Sequence, residues 1–348
     1  MMNKESIQHL FDSFDHSGNL SGYRELISGH INDTFLIQTD GPTNYVLQRI
    51  NHQVFKNVPK LVNNKVLVSQ HLKKKTKGKV LEFVPLRKDS NFCLQQDGSF
   101  WNLMIYIQDS VTYTVVPNRE IAFEAGKLLG NFLNQTADLD ASLLHDVIPN
   151  FHNMNFRFQQ FKDAFAQADS KRLALAKPWI SQINRLEKEM LILQHLKDEG
   201  KISIRVTHND TKVSNCLFDT NDKGICMIDT DTVMQGIIHY DFGDALRSAC
   251  NSAKEDETDL DKITFNVDFY HSYKEGFLEK VSDSLSALEI ELLPLSVKTM
   301  IFIMGLRFLT DFLNNDLYYK TDYPNHNLDR AINQFTLIRS LENQSEKL

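Results

Sequence analysis

The stretch Val206-Thr207-His208-Asn209-Asp210-Thr211-Lys212-Val213-Ser214-Asn215-Cys216-Leu217-Phe218-Asp219 decides the fold. Its polar centre, H-x-D-x-K-x-x-N, stands directly before an apolar strand. A turn follows at Asn221-Asp222-Lys223-Gly224, and then the apolar run Ile225-Cys226-Met227-Ile228 ends in Asp229. Two short strands joined by a turn form a hairpin, so Asp229 is carried back to the level of Asn215. A carboxylate at the end of a buried strand is costly unless it is paired or bound to a metal.

The interval from Asp210 to Asn215 is that of the H-R-D-x-x-x-x-N catalytic loop of protein kinases. In such a loop the aspartate faces the incoming hydroxyl, and the asparagine turns its amide oxygen toward a magnesium ion beside the same phosphate. We therefore expect Asp210 and Lys212 as catalytic residues, and Asn215 and Asp229 as Mg²⁺ ligands. Asp231 is either a second ligand or a turn residue. His208 is expected to brace the loop and not to act as a base. A literal Asp241-Phe242-Gly243 lies further on, but it opens a helical pattern beyond an extra loop. Asp241 is therefore expected as a helix cap or as a buried acceptor supporting the catalytic loop.

Working outward, the segments before residue 108 are strand-rich. Tyr23 to Gln38 is an apolar stretch interrupted at Ser28-Gly29-His30, Asp40-Gly41 marks a turn, and Asn44 to Ile50 returns. Asn57 to Leu72 has helical periodicity. Val80 to Leu86, Phe92 to Gln95 and Trp101 to Ile107 are three further strand patterns. From Asn118 onward helical patterns dominate, over 119–134, 154–165, 179–196, 258–277, 285–314 and 328–341. The expected fold is α+β and two-lobed, protein-kinase-like: residues 1–108 form a small antiparallel sheet with one helix, and 109–348 a larger, mainly helical lobe.

With 348 residues the chain is long enough for two lobes about one cleft. A net charge of −7 gives no sign of a nucleic-acid partner. The four cysteines form no C-x-x-C pair, the N-terminus is polar, and no apolar run is taken as a membrane span. A cytoplasmic setting is the expectation. Gly126-Lys127 lacks the other glycine and the Ser/Thr of a phosphate-binding P-loop, and no G-x-S-x-G elbow exists.

The chain resembles the aminoglycoside phosphotransferase and choline kinase superfamily, and within it the N-acetylhexosamine 1-kinases. The likeness runs over roughly residues 20–340. It is carried by Ser28-Gly29-His30-Ile31-Asn32-Asp33-Thr34-Phe35, by Val46-Leu47-Gln48-Arg49-Ile50-Asn51, and by the two segments around Asp210 and Asp229. Tyr240-Asp241-Phe242-Gly243-Asp244, Gly305-Leu306-Arg307-Phe308-Leu309-Thr310-Asp311 and Asn327-Leu328-Asp329-Arg330 complete it. The resemblance implies ATP and Mg²⁺ as cofactors and a free sugar phosphorylated at carbon 1. It implies that Asp210 serves the sugar hydroxyl, that His30 and Arg307 contact the sugar, and that the 105–109 segment, with Tyr106 and Ile107, docks adenine.

One departure is plain. Protein kinases carry a lysine on the third strand, paired to a helix glutamate. Here that strand offers Gln48 and Arg49 on opposite faces, and the next helix has Asn63 and Asn64 without an acid. Arg49 is the expected phosphate contact, with a solvated edge residue as the alternative reading. Arg307 is either a ligand contact or the partner of Asp311 in a buried pair. Other acceptors, of the aminoglycoside, homoserine or choline type, and a nucleotide-binding pseudokinase are the competing functions.

Overall fold

The computed structural model describes residues 3–26, 32–88 and 90–348. Helix α1 (Lys4–Phe11) is followed by strands β1 (Leu20–Glu25), β2 (Asp33–Thr39) and β3 (Tyr45–Ile50), helix α2 (Val58–Lys75), and strands β4 (Phe83–Val84), β5 (Cys93–Leu94) and β6 (Phe100–Ile105). All pairings are antiparallel, in the order β1-β2-β3-β6-β4, with β5 also bonded to β6. The period of two divides β3. Tyr45 and Leu47 enter an apolar cluster with Ile7, Leu10 and Phe11 of α1, while Ile50 joins Val58, Leu61 and Val62 of α2. Gln48 therefore lies on the α2 side of the sheet and Arg49 on the other.

The remaining chain is mostly helical. Helix α3 (Arg119–Gln135), α4 (Met154–Gln167), α5 (Ser170–Met190) and α6 (Ile192–Asp198) lead into β7 (Arg205–Thr207), the hairpin β8 (Cys216–Phe218) and β9 (Gly224–Met227), and β10 (Met234–Gly236), which pairs with β7. Helices α7 (Ile238–Ala249), α8 (Val267–Val281), α9 (Ala287–Glu291), α10 (Leu293–Leu313) and α11 (His326–Glu342) follow. This is the expected α+β arrangement of a sheet-based N-terminal part and a larger helical part.

Three boundaries differ from the periodicity. The helix expected from Thr258 begins only at Val267, where Asn266 accepts the Phe269 N–H as N-cap. The single run 285–314 is two helices: Ser286 and Glu289 close a capping box on α9, and α10 restarts at Leu293 with proline in its first turn. The helix expected from Trp179 starts nine residues earlier, at Ser170, capped by Asp169. Helix α10 is, among the described residues, long and apolar enough to cross a membrane, contrary to the expectation that no run is. It is the central helix of the helical part, and 67% of its apolar window is buried inside the protein, which makes it a core helix here.

Candidate active site

The loop after β7 is fixed before any ligand is considered. Asp241, in the first turn of α7, is fully buried and accepts the backbone N–H groups of His208 and Asn209, each at 2.7 Å. Thr211 Oγ1 donates to the Asp241 carbonyl at 2.6 Å, and Thr232 Oγ1 donates to the His208 carbonyl at 2.8 Å. Burial pushes the Asp241 carboxyl up to about 7, while the two N–H groups pull the other way. The imidazole of His208 bonds through Nε2 to the Ile228 carbonyl at 2.9 Å. Because a carbonyl only accepts, Nε2 carries the proton, and burial keeps the ring neutral. His208 thus ties the catalytic loop to the strand end that bears Asp229, and Asp241 lies beneath the loop as a brace.

Asp210 projects from this frame. Its Oδ2 accepts from Lys212 Nζ and from Asn215 Nδ2, both at 2.9 Å. The amide nitrogen of Asn215 also donates to the Asp210 carbonyl at 2.9 Å. With its nitrogen committed, Asn215 presents its amide oxygen as the atom free to meet a cation. Burial works to lower the Lys212 ammonium, but Asp210 and Asp229 prevail and its pKa is raised. Cys216 pairs with Met227, and the Ile228 N–H donates to the Asn215 carbonyl at 2.8 Å, so the hairpin delivers Asp229 to the same place. Asp229 has left-handed backbone, φ 59°. Burial, and then repulsion from Asp231 and Asp210, hold its carboxyl well above the ordinary carboxylate range.

These groups share one cavity of about 610 Å³ between sheet and helical body. Val46, Met104, Leu217 and Ile228 give it apolar walls, Tyr106 and Ile107 lie along its edge, and Asp210, Lys212, Asn215 and Asp229 stand at its polar end. The oxygen-bearing set of buried Asn215 and half-buried Asp229 fits a hard divalent cation, whose charge would relieve the repulsion that now raises Asp229.

Arg49 is not among the residues that line this cavity. Its guanidinium bonds Asp33 at 3.3 Å on the half-exposed face of the sheet, so the expected phosphate contact is corrected: alternation along β3 turns Gln48 into the cavity and Arg49 out of it. Helix α2 places a cation at the cavity wall. Lys65 is 2% exposed, lines the cavity, and donates to Gln48 Oε1 at 3.1 Å and to Asp231 Oδ1. The other oxygen of Asp231 accepts from Asn32. Asp231 is thereby committed to protein partners. Sequence reasoning missed Lys65, although it occupies a core position of the α2 stripe, four residues after Leu61 and three after Val62.

His30 lies outside the described residues. Arg307, on α10, stacks over Phe151 at 5.4 Å, Tyr319 at 5.5 Å and Tyr318 at 6.0 Å from the ring centroids. Its expected alternative partner, Asp311, instead accepts from the Tyr318 and Tyr319 N–H groups and from Asn327 Nδ2. Arg307 is not among the residues that line the cavity, and His152, a buried ring packed beside Phe151 and Tyr240, is another residue the sequence did not single out. Burial drives His152 down to about 3, and the charges that act on it are Asp244, Arg307 and Arg157, with the Asn209 backbone beside it. Asp244 itself bonds Arg247 Nε at 3.0 Å and the Thr211 N–H at 3.3 Å.

A catalytic loop braced from below, a carboxylate returned by a hairpin, and a cleft roofed by an antiparallel sheet define a phosphotransferase of protein-kinase-like fold. The chain belongs to the phosphotransferase enzyme family APH, whose family model matches residues 22–269. Among solved structures it is similar to an aminoglycoside phosphotransferase of Alicyclobacillus acidocaldarius, at TM-score 0.66 and 14% identity, over 98% of this chain and 96% of that one. It is also similar to a microcompartment-associated aminopropanol kinase (TM-score 0.63, 17% identity, 99% and 98% covered). A third is an amicoumacin kinase in complex with AMP-PNP, Ca²⁺ and Ami (TM-score 0.63, 12% identity, 99% and 94% covered).

Proposed function

We propose that this small-molecule kinase transfers the γ-phosphoryl group of ATP, with Mg²⁺, to the anomeric hydroxyl of a free N-acetylhexosamine. The observation that carries the phosphoryl-transfer part is the convergence of Asp210, Asn215 and Asp229 on one end of a cavity of about 610 Å³. The amicoumacin kinase, which shares the fold, binds AMP-PNP and Ca²⁺. Adenine docks against the 105–109 segment, Tyr106 and Ile107, at the division between residues 1–108 and 109–348. Asn215 and Asp229 would hold a divalent cation, whose charge would neutralise that of the phosphate oxygens. Asp210 accepts a hydrogen bond from the acceptor hydroxyl, orients its oxygen toward the phosphorus and receives its proton as the new P–O bond forms and the bond from the γ-phosphorus to the bridging oxygen breaks, releasing ADP. Lys212, fixed to Asp210, stands where charge develops on the transferred group.

The nature of the acceptor rests on the other side of the loop. Among the described residues no carboxylate lies within ion-pair distance of Arg307 or Arg157; Arg157 donates to the Phe151 carbonyl at 2.7 Å and to Gln160 at 2.8 Å. Two guanidiniums and aromatic rings suit a neutral, oxygen-rich acceptor and disfavour a polycation. The choice of carbon 1 and of the N-acetylhexosamines follows the sequence segments 28–35 and 305–311. The test is ATP turnover with free sugars, amino alcohols and aminoglycosides, with ³¹P NMR of the product. A sugar 1-phosphate from N-acetylglucosamine or N-acetylgalactosamine supports the proposal. Turnover confined to amines would replace it with an amino-alcohol or aminoglycoside kinase.

A further inference from the structure

We infer that Lys65 is the phosphate-binding cation of this enzyme, delivered by helix α2, with the neutral Gln48 in the strand position that protein kinases give to lysine. The inference rests on the nucleotide part of the function proposed above and adds to it the residue that holds the phosphates. A lysine at 2% exposure needs a compensating reason to be charged in a core. One is present: Asp231 pairs with it, in the short helical turn Thr230–Thr232 that follows Asp229. The pair is not closed on itself. An ammonium has three N–H donors; two go to Gln48 Oε1 and Asp231 Oδ1, and the nitrogen also stands 5.4 Å from the centre of the Phe83 ring. Lys65 and both its partners line the cavity that holds Asp210 and Asp229, so the third donor has phosphate oxygens as its complement there.

The other cations of the cavity wall are less suited. Lys212 is bound to Asp210 at the transfer end, and Arg24 is exposed on β1. Lys65 is anchored to Asp231, which follows Asp229 by two residues in the chain, and the positions of strand cation and helix acid are exchanged for strand amide and helix cation. Charge placed in advance and held still is what electrostatic stabilisation of a transferring phosphoryl group requires. Asn32 fixes the second oxygen of Asp231, which keeps that carboxylate oriented toward the ammonium.

The experiment measures calorimetric binding of Mg·AMP-PNP and of adenosine to the full chain, for wild type, Lys65→Met, and Lys65→Met with Asp231→Asn. The double variant removes both charges together and serves where the single one leaves Asp231 buried and unpaired and fails to fold. Loss of Mg·AMP-PNP affinity by roughly 10- to 100-fold, with adenosine binding unchanged, is expected. A third variant, Gln48→Lys with Lys65→Gln, returns the cation to β3 and should recover a substantial part of that affinity. Wild-type affinity in a folded charge-neutral variant, or an equal loss for adenosine, would overturn the assignment by showing a purely structural role. A folded wild-type chain that binds no Mg·AMP-PNP would instead overturn the nucleotide reading itself, and Lys65 with it.

Discussion

Asn209 and Asp229 both have left-handed backbone, at φ 63° and 59°, a conformation that non-glycine residues adopt sparingly and that asparagine and aspartate tolerate best. Asn209 precedes Asp210 and is held by its surroundings: its Nδ2 donates to the Thr207 hydroxyl at 2.9 Å and the Thr232 carbonyl at 3.1 Å. The loop is thus preset, and changes within it separate into chemical and structural classes. Asp210→Asn should lower kcat by about 10²- to 10⁴-fold, the range of a lost general base, while Mg·AMP-PNP affinity persists. Stopped turnover with retained binding, in calorimetry on the same preparation, checks this. Asp241→Ala belongs to the other class. It strips the buried His208 and Asn209 N–H groups of their acceptor, at a cost of about 1–3 kcal/mol for each unpaired group, and should appear as a lower urea midpoint together with lost activity. The convergence of Asp210, Asn215 and Asp229 on one cavity was legible because their order and spacing encode a loop and its returning hairpin. Lys65 was not, because its partners are far away in sequence: it meets Gln48 and Asp231, and no local pattern carries that pairing.

At the scale of elements, α3 and α8 approach too closely for side chains at their crossing. A Cβ on Gly126 would stand 2.0 Å from the Tyr273 carbonyl oxygen, and one on Gly276 2.1 Å from that of Phe123. Helix propensity favours alanine over glycine by up to about 1 kcal/mol, so propensity alone would make Gly126→Ala stabilising. Here backbone is the obstacle and neither helix can shift without disturbing the core, so overpacking wins. Gly126→Ala should destabilise by roughly 1–3 kcal/mol net, read as a fall in denaturation midpoint. The paired glycines at 126 and 276 carry no motif, and their role became visible only once the helices were laid together. The same limit explains the helix boundaries. Apolar periodicity runs unbroken from 285 to 314, whereas the split at Leu292 is decided by the Ser286 capping box and by a proline in the next first turn. Strand alternation in β3 was legible, and it separates Gln48 from Arg49. Which face met the cleft depended on α1 covering the other one, and that is a tertiary fact.

The whole molecule has a pH dependence written into its interior. His152 sits where the helical body meets the catalytic loop, and burial holds its ring neutral down to about 3 against the pull of Asp244, with Arg307 and Arg157 reinforcing the depression. In the unfolded chain a histidine titrates near 6.5. Above that pH the ring is neutral in both states and contributes no pH dependence. As pH falls below it, the unfolded chain binds a proton that the folded chain refuses, so stability declines until about pH 3. Burial also lowers His16, His208 and His239, which act in the same sense. Asp241, raised to about 7, acts oppositely: its folded form keeps a proton that the unfolded carboxyl releases, which favours the fold as pH drops toward 4. The net slope of the wild type therefore mixes both signs, and a difference measurement isolates His152. Between pH 7 and pH 5 the wild type should lose on the order of 2 kcal/mol more stability than His152→Gln, from the shift between 6.5 and about 3. Urea titrations of both proteins at the two pH values provide the comparison. Parallel changes would mean that the ring takes up its proton in the folded state.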